Sequence, residues 1–223
     1  MPAVTIDELT LAEDPARWSA LGFTVVGDIC QLGAVRLRFV GAPAAAASTP
    51  DTAGIVGWSL RGVVSAELDG LATTISQRPL PGPAPEHANG ALAIDHVVAA
   101  SPELDRSIAA LQGAGLVLRR VREQPTPTGA PRQAFFRLGA EILELIQEPE
   151  QVIERAGGRG HPARFWGLAV LVGDIDGAVA SLGEHVSEAR AAVQPGRRIA
   201  TVRRSAGLAV ALALMSARQP AEV

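Results

Sequence analysis

"GALAIDHVVAASPELDRSI", residues 90–108, places one histidine, His96, in an apolar run that ends at a helix-start signal. The run from Ala91 to Ala100 reads as a strand. Ser101, Glu103 and Asp105 then supply the oxygen acceptors and negative charge that the free N–H groups and positive end of a helix favour. The unit is therefore strand, then capped helix, and His96 is either a metal ligand or a hydrogen-bonded core side chain.

The same order recurs along the chain. "IVGWSLRGVVSAELDGLATTI" repeats Ser101, Glu103, Leu104 and Asp105 as Ser65, Glu67, Leu68 and Asp69, which predicts a helix after that strand too. "FWGLAVLVGDIDGAVASLG" repeats the sense with Asp174 and Asp176, and "VTIDELTLAEDPARWSALGF" with Asp14 and Pro15. After the helices, "ICQLGAVRLRFVGAP" (29–43) aligns with "AFFRLGAEILELIQEP" (134–149), each with Leu-Gly-Ala at a turn between two strands. The fourth block closes with a strand, a turn at Ser205 to Gly207 and a final strand over Leu208 to Met215. The second block has no hairpin. Three linkers rich in Pro, Gly, Ala and Ser separate the blocks: 41–52, 77–90 and 147–163, the last with room for a turn of helix at "EQVIERA".

Composition narrows the partners. A net charge of −3 with 4% aromatic residues gives neither a basic stripe nor stacking platforms, so nucleic acid is not expected. Cys30 is the single cysteine, which excludes an internal disulfide framework and suits a reducing cytoplasm. Acidic residues near the N-terminus do not match a secretory signal, and the run 207–215 is too short to span a bilayer, so no membrane role is expected. There is no GxGxxG, Walker loop, GxSxG or HExxH.

"AIDHVV", "SPELDRSIAALQGAGL" and "RQAFFRLGAEILELIQ", in that order, resemble the vicinal oxygen chelate superfamily, the group of glyoxalase I, extradiol dioxygenases and bleomycin-resistance proteins. The resemblance implies an α+β fold of tandem β-α-β-β-β units whose curved sheet forms a cup. It divides the chain into degenerate N-terminal units (1–78), a linker (79–91) and a glyoxalase-like cup (92–217, units 92–149 and 164–217). In such a cup a divalent metal such as Zn, Ni, Mn or Fe takes one ligand from the first strand of each unit and a glutamate from the last. His96 and Glu144 match those two places in the third block. The fourth block offers only Gly167 or Leu168 opposite His96 and apolar residues opposite Glu144, so the metal site is incomplete. In a second pairing, of the first and third blocks, Glu8 matches His96 and Arg38 matches Glu144, as a salt bridge with Glu144 rather than a metal site.

Glu144 is the candidate catalytic residue, because alternation in "EILELI" sets it among isoleucines, where a carboxylate needs a partner, a metal or a proton. In "PRQAFFRLG", either Gln133 and Phe135 or Ala134 and Phe136 line the cup. Arg197 and Arg198 are solvated turn charges or a fork for a ligand oxygen. Trp58 and Trp166 recur at similar places, which suggests a shared packing role, and Trp166 is also a candidate for substrate contact. His87, His161 and His185 are expected to face solvent, with His161 a candidate substitute ligand.

Two functions follow from the resemblance. One is a lyase-, isomerase- or dioxygenase-type enzyme acting on a small oxygenated metabolite. The other is a binding protein of the bleomycin-resistance type that sequesters a small molecule without chemistry. A third reading makes the extra half-units the surface of a homodimer.

Overall fold

The computed structural model describes residues 3–41, 53–125 and 129–218, so the linker 41–52 lies outside the described residues from position 42 on. Two curved sheets carry the chain. The first has six strands between Thr5 and Ile75, and the second has eight between Ala91 and Ser216.

The third block makes a complete unit: β7 (Ala91–Ser101), α2 (Leu104–Gly113), β8 (Val117–Arg122), β9 (Gln133–Leu138) and β10 (Glu141–Gln147). After the short helix α3 (Glu150–Arg155), the fourth makes another: β11 (Arg164–Val172), α4 (Ile175–Leu182), β12 (Arg190–Ala191), β13 (Arg198–Thr201) and β14 (Ala211–Ser216). Their first strands, β7 and β11, pair antiparallel at the middle of the eight-stranded sheet, with His96 across from Ala169. The third and fourth blocks therefore share one sheet. Each first strand also pairs parallel with the last strand of its own unit, β10 or β14. Leu143, Leu145, Ala134 and Phe136 turn into the core, along with Leu104 and Leu111 of α2. Alternation then sends Gln133, Phe135 and Glu144 to the other face.

The first block repeats the plan with β1 (Thr5–Ala12), α1 (Pro15–Ala20), β2 (Val25–Val26), β3 (Ile29–Leu32) and β4 (Val35–Phe39). Gly33 and Gly139 both adopt positive φ, 60° and 74°, in two-residue loops joining β3 to β4 and β9 to β10. A glycine at the first of two loop positions permits the turn that matches strand twist. Asp14 and Asp174 each accept a hydrogen bond from the backbone N–H two residues on, at 2.9 and 3.0 Å, and cap α1 and α4.

The second block departs from its sequence pattern. β5 (Gly54–Arg61) is followed by turns and then by β6 (Thr73–Ile75), with no helix between them. The start is the same, since Ser65 Oγ accepts from the Glu67 N–H at 3.0 Å as Ser101 Oγ accepts from Glu103 at 3.1 Å. Asp69 then takes φ 51°, and its carboxylate accepts from Arg106 Nε at 2.8 Å and from Ser107 Oγ, both on α2. Contacts with a neighbouring unit outweigh the local helix signal.

Trp58 and Trp166 do not share a role. Trp58 is buried, donates from its indole N–H to Thr73 Oγ1 at 2.7 Å and meets Phe165 edge-on with ring centroids 5.1 Å apart. Trp166 is 49% exposed. His87 is also buried rather than solvent-facing. Its Nδ1 accepts from the Thr24 backbone N–H and its Nε2 lies 2.9 Å from the Gln31 carbonyl, so the segment 77–90 is fastened to the first unit. The last strand starts at Ala211 rather than Leu208 because buried Glu13 accepts from the N–H groups of Ala209 and Val210, at 2.8 and 2.6 Å. Among the described residues no helix is long and apolar enough to cross a membrane.

Candidate functional site

A cavity of about 310 Å³ opens on the concave face of the eight-stranded sheet. Its floor comes from β7, β10 and β9 and carries His96, Gln133, Phe135 and Glu144. Its aliphatic wall is Ile199, Leu212, Ala213 and Met215, and Trp166 also lines it. Arg120 and Arg122 reach it from β8, and Arg190 from β12. Those two strands are the opposite edges of the sheet, so the sheet curls until its ends face each other across the cavity.

A β-bulge sets the floor. In the pairing of β7 with β11, Ala169 faces His96 and Val170 faces Ile94, which leaves Asp95 as the extra residue. Bulges redirect side chains, and here neighbours in sequence meet: His96 Nδ1 lies 2.8 Å from Asp95 Oδ2. The partner of His96 is thus Asp95 rather than Glu144, whose Oε2 is 3.7 Å from His96 Nε2. Arg197 Nη2 donates to Asp95 Oδ1 at 2.5 Å, while its other nitrogens donate to the Ser216 carbonyl at 2.8 Å and Gln194 Oε1 at 2.7 Å. Burial works to raise the Asp95 carboxyl, but the hydrogen bonds and charges of His96 and Arg197 outweigh it and hold the carboxyl below its ordinary value. On the other side, Gln133 Nε2 donates to Glu144 Oε1. The Arg120 guanidinium lies over the Phe135 ring, 4.6 Å from its centroid.

The bulges also align the two halves of the sheet. The second bulge in the same pairing makes Trp166 the extra residue of β11, 71 positions after Asp95, and α4 begins 71 positions after α2. Gly167 therefore corresponds to His96. Val98 pairs with Glu144 and its counterpart Ala169 pairs with Ala213, so Ala213 corresponds to Glu144. The first sheet carries the same device, with Asp7 as the extra residue of β1 and Glu8 at the place of His96. There Arg38 bonds Glu8 at 3.0 and 3.2 Å instead of reaching Glu144, and Arg36, Arg61 and Arg78 gather on buried Asp7.

His96, Gln133, Phe135, Glu144 and Trp166 thus meet at one cavity, whereas Arg197 and Arg198 do not line it. Arg197 holds Asp95, and Arg198 pairs with Asp176 of α4 at 2.6 Å. His161 Nε2 lies 3.4 Å from buried Glu148 Oε2, away from the cup. The residues that sequence reading missed are Arg120, Arg122 and Arg190. The alternation of Arg120 and Arg122 in "VLRRVR" was the available signal for two of them.

A divalent ion at the position that the resemblance implies would find His96 and Glu144, and no third protein ligand among the described residues. Among the described residues, no three His, Cys, Asp or Glu side chains gather as a metal set. Three or four ligands are usual for a tight site, so the residues present do not fit a metal held by protein alone.

Neither a family model nor a curated protein sequence matches the chain. Solved structures do. A xylose isomerase-like TIM barrel/4-hydroxyphenylpyruvate dioxygenase fusion protein aligns over 100% of this chain and 51% of its own, with 12% identity and a TM-score of 0.64. A mutant of 4-hydroxymandelate synthase from Streptomyces coelicolor aligns over 100% of this chain and 94% of its own, with 17% identity and a TM-score of 0.63. Methylmalonyl-CoA epimerase from Mycobacterium tuberculosis aligns over 59% of this chain and 91% of its own, with 21% identity and a TM-score of 0.46. At these identities the likeness is one of fold.

Proposed function

From the vicinal-oxygen-chelate fold that this chain has, we propose that the cup of residues 92–217 binds a small oxygenated anion and that Glu144 moves a proton on it. The observation that carries this reading is the convergence of Arg120, Arg122 and Arg190, from opposite edges of the sheet, over a floor that holds Glu144. Guanidinium groups match carboxylate oxygens in charge and geometry, and partial burial strengthens that match. Glu144 sits on the floor with one oxygen held by Gln133 and the other turned toward His96. A carboxylate fixed in this way within reach of a bound molecule is placed for general acid–base work. The single buried cysteine, Cys30, fits a reducing cytoplasm.

The aliphatic wall of Leu212, Ala213 and Met215 favours a second reading, a binding or sequestering protein without turnover. One experiment separates the two. Small keto and hydroxy acids are screened for a rise in melting temperature, and hits are incubated in D2O with the wild type and with Glu144→Gln. Binding that weakens about tenfold or more in Arg122→Ala or Arg190→Ala supports the anion site. Deuterium exchange that is lost in Glu144→Gln supports proton transfer. Binding without exchange leaves the sequestering protein, and a panel without hits overturns both.

A further inference from the structure

The floor of the cup presents hydrogen-bond acceptors, and its rim presents donors. His96 Nδ1 is taken up by Asp95 Oδ2 at 2.8 Å. At 3.7 Å, His96 Nε2 and Glu144 Oε2 are too far apart for a hydrogen bond. Gln133 spends an N–H on Glu144 Oε1, and its own Oε1 is buried without a partner among the described residues. Two acceptor atoms of one floor, Glu144 Oε2 and Gln133 Oε1, thus lack a donor among the described residues. Above them, Arg122 and Arg190 make no hydrogen bond or ion pair through their side chains among the described residues.

Resting on the reading of the cup as an anion site, we propose that its ligand is a carboxylate with a hydrogen-bond donor, a hydroxyl or an ammonium, at the opposite end. The carboxylate meets Arg120, Arg122 and Arg190, and the donor meets Glu144 Oε2 and Gln133 Oε1. The reverse orientation would set anion against anion at Glu144. A ligand that ends in a methyl group would leave both acceptors unmet, and sites built to hydrogen-bond a polar group discriminate strongly against analogues that lack it.

The test is calorimetry on the full chain with straight-chain carboxylates matched in length and ending in methyl, hydroxyl or ammonium. The wild type and Glu144→Gln are compared, each checked for an unchanged melting transition. The expected result is binding about tenfold or more tighter for a hydroxyl or ammonium end than for methyl. An ammonium preference that disappears in Glu144→Gln assigns the donor to the charged carboxylate. A hydroxyl preference that survives in Glu144→Gln assigns it to Gln133. Equal binding of all three ends overturns the donor requirement while the anion site stands. Binding by none of the carboxylates overturns the anion site, and the donor requirement with it.

Discussion

Gly167 occupies in β11 the position that His96 occupies in β7, and a Cβ built on Gly167 would stand 2.6 Å from the Ala211 carbonyl oxygen. A side chain is thus excluded at this position, since β14 has closed over the place where it would start. Gly167→His is expected to lower stability by roughly 1–3 kcal/mol, the usual cost of overpacking. It is also expected to raise affinity for Zn, Ni, Mn or Fe(II) by less than about tenfold, or about 1.4 kcal/mol. Calorimetric metal titration of the variant beside the wild type checks this, and a larger gain would show that β14 can move away.

Arg197 and Arg198 are neighbours with opposite surroundings. The Arg197 side chain is 12% exposed and uses all three nitrogens, on Asp95, Gln194 and the Ser216 carbonyl. Removing one member of a mostly buried ion pair leaves the other charge uncompensated, so Arg197→Ala should cost roughly 3 kcal/mol in urea unfolding. Arg198 pairs at the surface with Asp176, and Arg198→Ala should leave the transition where it is. Equal effects from the two variants would contradict this division.

Asp69 ties the truncated second unit to α2 through Arg106 and Ser107. Asp69→Ala should destabilise the protein by roughly 1–2 kcal/mol, because Ser107 and Arg106 lose a shared acceptor while Ser107 keeps Ser101 Oγ and Arg106 keeps the Arg159 and His161 carbonyls. Arg106→Ala should cost less, since its bonds to Asp69 and the two carbonyls are exposed and Ser107 keeps its bond to Asp69. Chemical denaturation of both variants measures the difference, and a larger loss in Arg106→Ala would place the anchor on the arginine instead.

What was legible in the sequence was local. The caps at Asp14 and Asp174 and the Leu-Gly-Ala loops depend on residues a few positions apart, and they reappear in the structure. The alternation in "EILELI" and "RQAFFRL" separated the cavity face from the core face for the same reason. The identical signals at Ser65 and Ser101 diverge because Asp69 answers to α2, nearly forty residues away. Arg120, Arg122 and Arg190 were missed because they meet only when the sheet curls and brings its two edges together. Asp95 was overlooked because alternation puts it on the face opposite His96, and only the bulge brings the two side by side.

Glu141 begins the core-facing row that continues through Leu143 and Leu145, and it is 5% exposed. Burial raises its carboxyl above the ordinary value of 4.5, opposed only by its own backbone N–H. The native state then holds a proton that the unfolded chain releases once pH passes 4.5. Over the window from 4.5 up to the raised folded value, the native state binds more protons than the unfolded state, so stability falls as pH rises. Glutamine keeps the shape and the acceptor but has no proton to lose. Glu141→Gln should therefore melt higher than the wild type at neutral pH, and the two curves should converge below about pH 4.5, where the wild-type carboxyl is neutral in both states. Melting curves taken across that range check the sign, and a variant that is less stable at neutral pH would show that the ionised carboxylate has a partner in solution.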